Sequence, residues 1–142
     1  MKPGILVSVI VVMCVMSGSG CGALKAKNQA EKFERSLTQY AAALRWGRLR
    51  EAVSFHVAQD GTAAAVNLEH LENFSVTSFK IISKTIIPSS EKDGINEAVV
   101  VAEMSYFHKE QGTIRKSNLN QLWWYNAEIK RWLVETEFPK FK

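Results

Sequence analysis

At Phe74 the chain changes its period, and that switch constrains the fold more than any other feature. Before it, apolar residues recur at helical spacing. Phe33, Leu37, Tyr40, Ala41 and Leu44 fall three and four residues apart and make one face of a helix beginning near Glu31. Leu49, Val53 and Phe55 extend the pattern. Gly47 interrupts it at a cost of about 1 kcal/mol relative to Ala. A kink, a break between two helices, or close packing against another element would each account for that glycine. Asp60-Gly61 is a turn signal, and a weaker helical segment follows over residues 63–71.

After Phe74 the residues are those of strands. Val76, Phe79, Ile81, Ile82, Ile86 and Ile87 are β-branched or aromatic and stop at Pro88-Ser89-Ser90. Lys92-Asp93-Gly94 turns the chain into a second strand over residues 98–107, centred on Val99, Val100 and Val101. Gln111-Gly112 is the next turn, and residues 113–125 make a third strand that is polar at its start and aromatic at its end. Asn126-Ala127-Glu128 leads to a fourth strand over residues 129–138, with Trp132 and Val134 on one face and Leu133 and Glu135 on the other. Pro139 ends it, because proline has no N–H for a ladder.

Helices followed by hairpin-linked strands predict an α+β domain over residues 31–142, its N-terminal helices packed on a curved four-stranded antiparallel sheet. An apolar fraction of 46% is ordinary for a folded domain. The length beyond residue 30 is sufficient for one core. The helical opening, Tyr40-Ala41-Ala42-Ala43-Leu44-Arg45-Trp46-Gly47-Arg48-Leu49-Arg50-Glu51-Ala52-Val53, resembles the start of an NTF2-like domain of the cystatin-like α+β group. The close, Leu122-Trp123-Trp124-Tyr125 and Arg131-Trp132-Leu133-Val134, is similar to that family's last hairpin. The resemblance implies a cone between sheet and long helix. It does not imply one activity, since the family holds isomerases, dehydratases, transport adaptors and non-catalytic binding modules.

The N-terminus carries a different kind of information. Lys2 precedes an apolar run over residues 5–16, then the small residues Ser17-Gly18-Ser19-Gly20, then Cys21. The run is about a dozen residues, short of the roughly 20 needed to span a bilayer and within the range of a signal-peptide centre. The order resembles the signal of bacterial lipoproteins, with Gly20 and Cys21 matching its lipobox and Gly18 standing where the family usually has Leu. The resemblance implies a signal peptide over residues 1–20, removed on export, and a lipidated Cys21 followed by a polar tether to residue 30. Ordinary cleavage after Gly18-Ser19-Gly20, releasing a soluble protein, is the alternative, as is an uncleaved anchor. Gly22 is not the aspartate that holds many such proteins in an inner membrane, so in a host with two membranes the implied address is the outer one, facing the periplasm.

The two cysteines are Cys14, within the apolar run, and Cys21. Removal of residues 1–20 and lipidation of Cys21 would leave the domain no disulfide, no thiolate metal site and no cysteine nucleophile. The net charge of +4 is small and the acids are interleaved with the bases, so no nucleic-acid face is expected. Lys25 and Lys27 would be solvated residues of the tether, or would touch anionic head groups.

Chemistry-bearing residues are sparse. Enzymes of the resembled family use an acid, a histidine or a tyrosine inside the cone, which makes Glu103, Tyr40 and His56 the candidates for catalysis. Glu103 shares its strand face with Val99, Val101 and Ser105. Inward, it would be a general base of raised pKa; outward, it would be solvated or cross-strand paired, and burial rules favour the latter. His56 lies near a helix C-terminus, where the charged form is favoured. His56, His70 and His108 are not at metal-pair spacing, so no metal site and no cofactor are expected. The aromatics offer more. Trp46, Phe107, Trp123 and Trp124 are candidates for a binding surface. Trp123 and Trp124 are adjacent in a strand and so face opposite ways; the outward ring is expected to be exposed or covered by a second chain. The expected function is a lipid-anchored, non-catalytic binding or accessory module of the envelope. Its expected partners are the membrane, an envelope protein or a homodimer mate. The alternative is a small-molecule binder or enzyme using an aromatic cone.

Overall fold

The computed structural model describes residues 20–90 and 95–142. Residues 1–19 of the expected signal peptide and the Lys92-Asp93-Gly94 turn lie outside the described residues. The order of elements is α1 (Gly20–Arg45), α2 (Leu49–Val53), α3 (Leu68–Leu71), β1 (Phe74–Pro88), β2 (Ile95–His108), β3 (Ile114–Asn126) and β4 (Arg131–Val134).

The helix begins at Gly20, well before the expected start near Glu31, so the residues read as a polar tether are helical. Ala23, Leu24, Lys25, Ala26, Lys27, Gln29 and Ala30 are strong helix formers. Their apolar period is faint because polar Gln29 sits on the buried stripe that continues through Phe33, Ser36, Leu37, Tyr40, Ala43 and Leu44. Gly47 is the break between α1 and α2. Its φ of 66° is left-handed, its N–H bonds Leu44 O at 3.3 Å, and the next N–H, Arg48, reaches Ala43 O at 2.8 Å. That pair of bonds is the Schellman stop, which satisfies carbonyls the helix end would leave open. The helix expected over residues 63–71 shrinks to the single turn α3, capped by the Asn67 side chain on His70 N–H at 3.1 Å. Ahead of it, Ala64 N–H is held by His56 O at 2.9 Å and Ala63 is bridged to Val57.

The sheet is an antiparallel meander in the order β1-β2-β3-β4. In β2 the even-numbered residues Ala98, Val100, Ala102, Met104 and Tyr106 are buried, and their partners on β3 include Trp123, Gln121 and Leu119. Strict alternation fails in β1. The residues opposite that buried row are Val76, Phe79, Ile81, Lys84 and Ile86, so the inward parity flips at Thr77 and again at Ile82. Each is an extra residue at a register shift, and such bulges bend a strand. One inward position thereby falls to Lys84, which reaches Glu34 on α1 as an ion pair.

The fourth strand is shorter than the expected span of residues 129–138. The turn before it is tight: Asn126 Oδ1 accepts from Glu128 and Ile129 N–H, and Lys130 takes a φ of 53°. At Val134 the strand gains a second neighbour on its other edge: Val134 N–H bonds Phe55 O at 2.7 Å and His56 adds in parallel, while Glu135 N–H still reaches Leu122 O on β3 at 2.8 Å. The tail then folds back instead of continuing to Pro139. Phe138 meets the His56 ring at 5.0 Å, and Phe141 packs on Phe74 and Tyr106 at 5.4 and 4.9 Å. Between α1 and the sheet, Phe33, Tyr40, Phe55, Trp123 and Trp132 form one aromatic core of ring contacts from 4.9 to 6.0 Å. Among the described residues no helix is long and apolar enough to cross a membrane.

Candidate functional site

Two features gather polar groups, one buried and one open to solvent. The first is a buried chain of hydrogen bonds. Thr136 O accepts from His56 Nδ1 at 2.8 Å, which leaves His56 Nε2 to accept from the Tyr40 hydroxyl at 3.0 Å. The Tyr40 oxygen accepts from Gln121 Nε2 at 3.1 Å, and Gln121 Oε1 accepts from Trp123 Nε1 at 3.3 Å. Burial pushes the His56 pKa down to about 4, against the smaller opposing pull of the Thr136 carbonyl. Burial also raises the Tyr40 pKa, against the Gln121 bond. Both rings are therefore neutral at pH 7.

Neutral and fully engaged, the pair has no lone pair or proton free for a substrate. The chain ties α1, the segment after α2, β3 and the C-terminal tail together. His56 is thus neither exposed nor charged, contrary to its position near a helix end. It is 2% exposed because Phe138 and the tail close over it, a contact from the far end of the chain.

The second feature is an open cavity of about 600 Å³ beside the first turns of α1, lined by Lys25, Gln29 and Lys32 of α1, by Glu97 and Tyr125 of the sheet, and by Lys130 of the β3–β4 turn. Lys32 Nζ donates to Tyr125 Oη at 3.4 Å and stands 5.8 Å from that ring's centre. Glu97 is engaged by Gln59 Nε2 at 3.0 Å. A second cavity, about 530 Å³, lies by the tail and is lined by Lys116, Lys140 and Lys142 among others. There Lys116 is paired to Glu103 at 3.1 Å and Lys140 to Glu137 at 3.3 Å.

The structure scatters most of the expected site residues. Glu103 points to the outer sheet face, between Lys80 on β1 and Asn118 on β3, and pairs with Lys116. Trp46 is 75% exposed at the end of α1, where the Schellman stop holds it clear of the core. Phe107 lies on the outer face opposite Ile114. Trp124 shares that face opposite Glu97, ten residues of β2 from Phe107, or roughly 33 Å at strand rise. Trp123 is fully buried. The four do not make one surface.

Trp124 is not left bare. It is half-buried, and its Nε1 donates to Val57 O at 2.8 Å, because the segment after α2 crosses the sheet edge. Cys21 is exposed at the start of α1. Among the described residues no group of three or more His, Cys, Asp or Glu could hold a metal ion.

Sequence reasoning missed two residues, Gln121 and Gln29. Each had a signal. Gln121 shares the strand parity of Trp123, and Gln29 lies four residues before Phe33 on the helical stripe. Compared with known proteins, the chain matches no protein-family model, no curated protein and no solved structure.

Proposed function

We propose that this is an exported protein, held to an envelope membrane by lipid on Cys21, whose NTF2-like domain is a non-catalytic binding or accessory module. In a host with two membranes its place is the outer one, facing the periplasm. The observation that carries the non-catalytic reading is the filled interior. Tyr40 sits among Phe55, Phe79, His56 and Trp123, with ring centres 5.5 to 5.7 Å away, and every polar atom of the Tyr40–His56 pair is committed. An enzyme of the resembled family would need open space beside those groups. Neither cavity described above is lined by Tyr40, His56 or Glu103.

The anchoring reading is supported by the N-terminal order of charge, apolar run, small residues and cysteine. Its geometry also fits. Cys21 is exposed, and the first core residue of α1 is Gln29, eight residues on and roughly 12 Å along the helix. Acyl chains on Cys21 would leave the core untouched. More than one chain is needed for stable attachment, and a lipoprotein cysteine carries them. The protein partner, an envelope protein or a second copy of this chain, would meet the outer sheet face, where Val99, Val101, Phe107, Ile114 and Leu122 stand among polar residues. Fractionation of cells carrying the natural chain or Cys21→Ser tests the anchor. The natural protein is expected in the membrane fraction, and the variant is expected to be released or unprocessed. Equal partitioning of the two would overturn the anchor.

A further inference from the structure

We infer that the end of the domain carrying Cys21 rests directly on the bilayer and sets Leu24, Ile87 and Ile129 into its surface. Docking of this kind rests on the proposed lipid anchor and adds to it an orientation and a set of contacts. No loose segment separates the anchor from the fold. α1 runs unbroken from Gly20 to Arg45, and its buried stripe begins at Gln29, roughly 12 Å along the helix from Cys21. A flexible tether would let the domain stand away from the membrane. A helix rooted in the core holds it close, free only to tilt about Cys21.

Two other segments reach the same end of the molecule. The open cavity beside α1 is walled by Lys25 of α1, by Asn96 and Glu97 at the start of β2, and by Lys130 of the β3–β4 turn. The end of β1 comes with them, because Ile87 pairs with Glu97. Each of these segments exposes a large apolar side chain: Leu24 is 69% exposed, Ile129 58% and Ile87 37%. Scattered singly, such residues would need no explanation. Here they stand on three separate segments at the end that holds the anchor, and three points of contact fix a tilt.

The contact is apolar more than electrostatic. Over residues 21–30, 86–97 and 126–131 the basic side chains outnumber the acidic ones by one, so attraction to anionic lipid is weak. Three side chains alone would hold a bilayer poorly; an acyl anchor at Cys21 makes their contact intramolecular and so favours it. The far end of the domain has exposed apolar residues of its own, Trp46 after α1 and Ile114 at the start of β3. On apolarity alone that end would serve as well, and the place of Cys21 decides between the two.

The full mature chain, purified from cells in uncharged detergent and returned to phosphatidylcholine vesicles, tests the contact. The vesicles contain a phospholipid with a diazirine in its acyl chain, and the adducts formed on illumination are mapped by mass spectrometry. Adducts are expected at residues 126–131 as well as on the first turns of α1, and not around Trp46 or Ile114. Leu24→Ser with Ile87→Ser should leave the protein on the vesicles with its melting temperature nearly unchanged, yet lower the adducts at residues 126–131 by about fivefold or more. High salt should leave them as they were. Adducts confined to α1, adducts at Trp46 or Ile114, a double variant that labels like the natural chain, or loss of labelling in high salt would each overturn the docking.

The intact mass of the same sample reads the anchor separately. If Cys21 carries no lipid, the anchor reading fails by itself. The chain is then coupled at Cys21 to a maleimide-bearing phospholipid, and the same pattern of adducts is expected; its absence there would overturn the docking as well.

Discussion

Replacing Tyr40 by Phe removes one oxygen and no packing, so it isolates the buried polar chain. The ring keeps its contacts with Phe55, Phe79 and Trp123. Two partners are orphaned: His56 Nε2 loses its donor at 3.0 Å, and Gln121 Nε2 loses its acceptor at 3.1 Å. A buried group left unpaired costs about 1–3 kcal/mol, and the lost desolvation of the hydroxyl offsets part of the sum. The expected destabilisation is about 2–4 kcal/mol, or roughly 8–16 °C in melting temperature for a domain of this size. Urea unfolding followed by tryptophan fluorescence and circular dichroism reads it, with an unchanged dependence on urea concentration showing that both states keep their compactness. Tyr125→Phe is the internal control. Its hydroxyl has only the long contact from Lys32, at 3.4 Å, so its loss should cost less than about 0.5 kcal/mol. If the two variants cost the same, the chain of bonds does not hold the fold together and the account of Tyr40 fails.

Three further outcomes follow from the same packing. His56 has a folded pKa of about 4 against an ordinary 6.5, so between those values the unfolded chain binds the extra proton. Its contribution is complete above about pH 6.5 and is lost as pH falls toward 4, amounting to about 3 kcal/mol; His56→Gln should flatten that part of the stability–pH curve, and a slope that persists would mean another group titrates there. Trp123→Ala should cost about 3–5 kcal/mol in chemical denaturation, and Trp124→Ser only about 1–2 kcal/mol from one hydrogen bond and half a ring; equal costs would contradict the assignment of the two faces. Gly47→Ala should cost about 1 kcal/mol from backbone conformation alone, since a Cβ there meets nothing within 4 Å, and a thermal melt that does not move would refute the left-handed stop.

The element order was legible because local chemistry and tertiary context agree along most of the chain. β2 alternates without a break, so its buried row follows from Val100, Ala102 and Met104 by parity alone. Gly47 announced an interruption, though not its kind. What stayed hidden depends on contacts distant in sequence. Thr77 and Ile82 carry no residue signal for a bulge, yet they decide which face Phe79 and Lys84 take. Residues 21–30 read as a polar tether because Gln29 occupies a core position. Val134 N–H is taken on the far edge of β4 by Phe55, a partner from before the sheet that no residue near β4 announces. His56 looked like a charged helix end until the tail, eighty residues on, supplied Thr136 O as its partner. The candidate site was the least legible part, since its residues come from α1, β2, β3 and a turn.

The central claim is that Cys21 becomes the lipid-bearing N-terminus of an envelope protein. Intact-mass measurement of the mature protein from cell membranes tests it most directly. The account predicts a chain beginning at Cys21 with the added mass of a glyceryl group and its acyl chains. A mature chain beginning elsewhere, or one whose Cys21 carries no added mass, would contradict it.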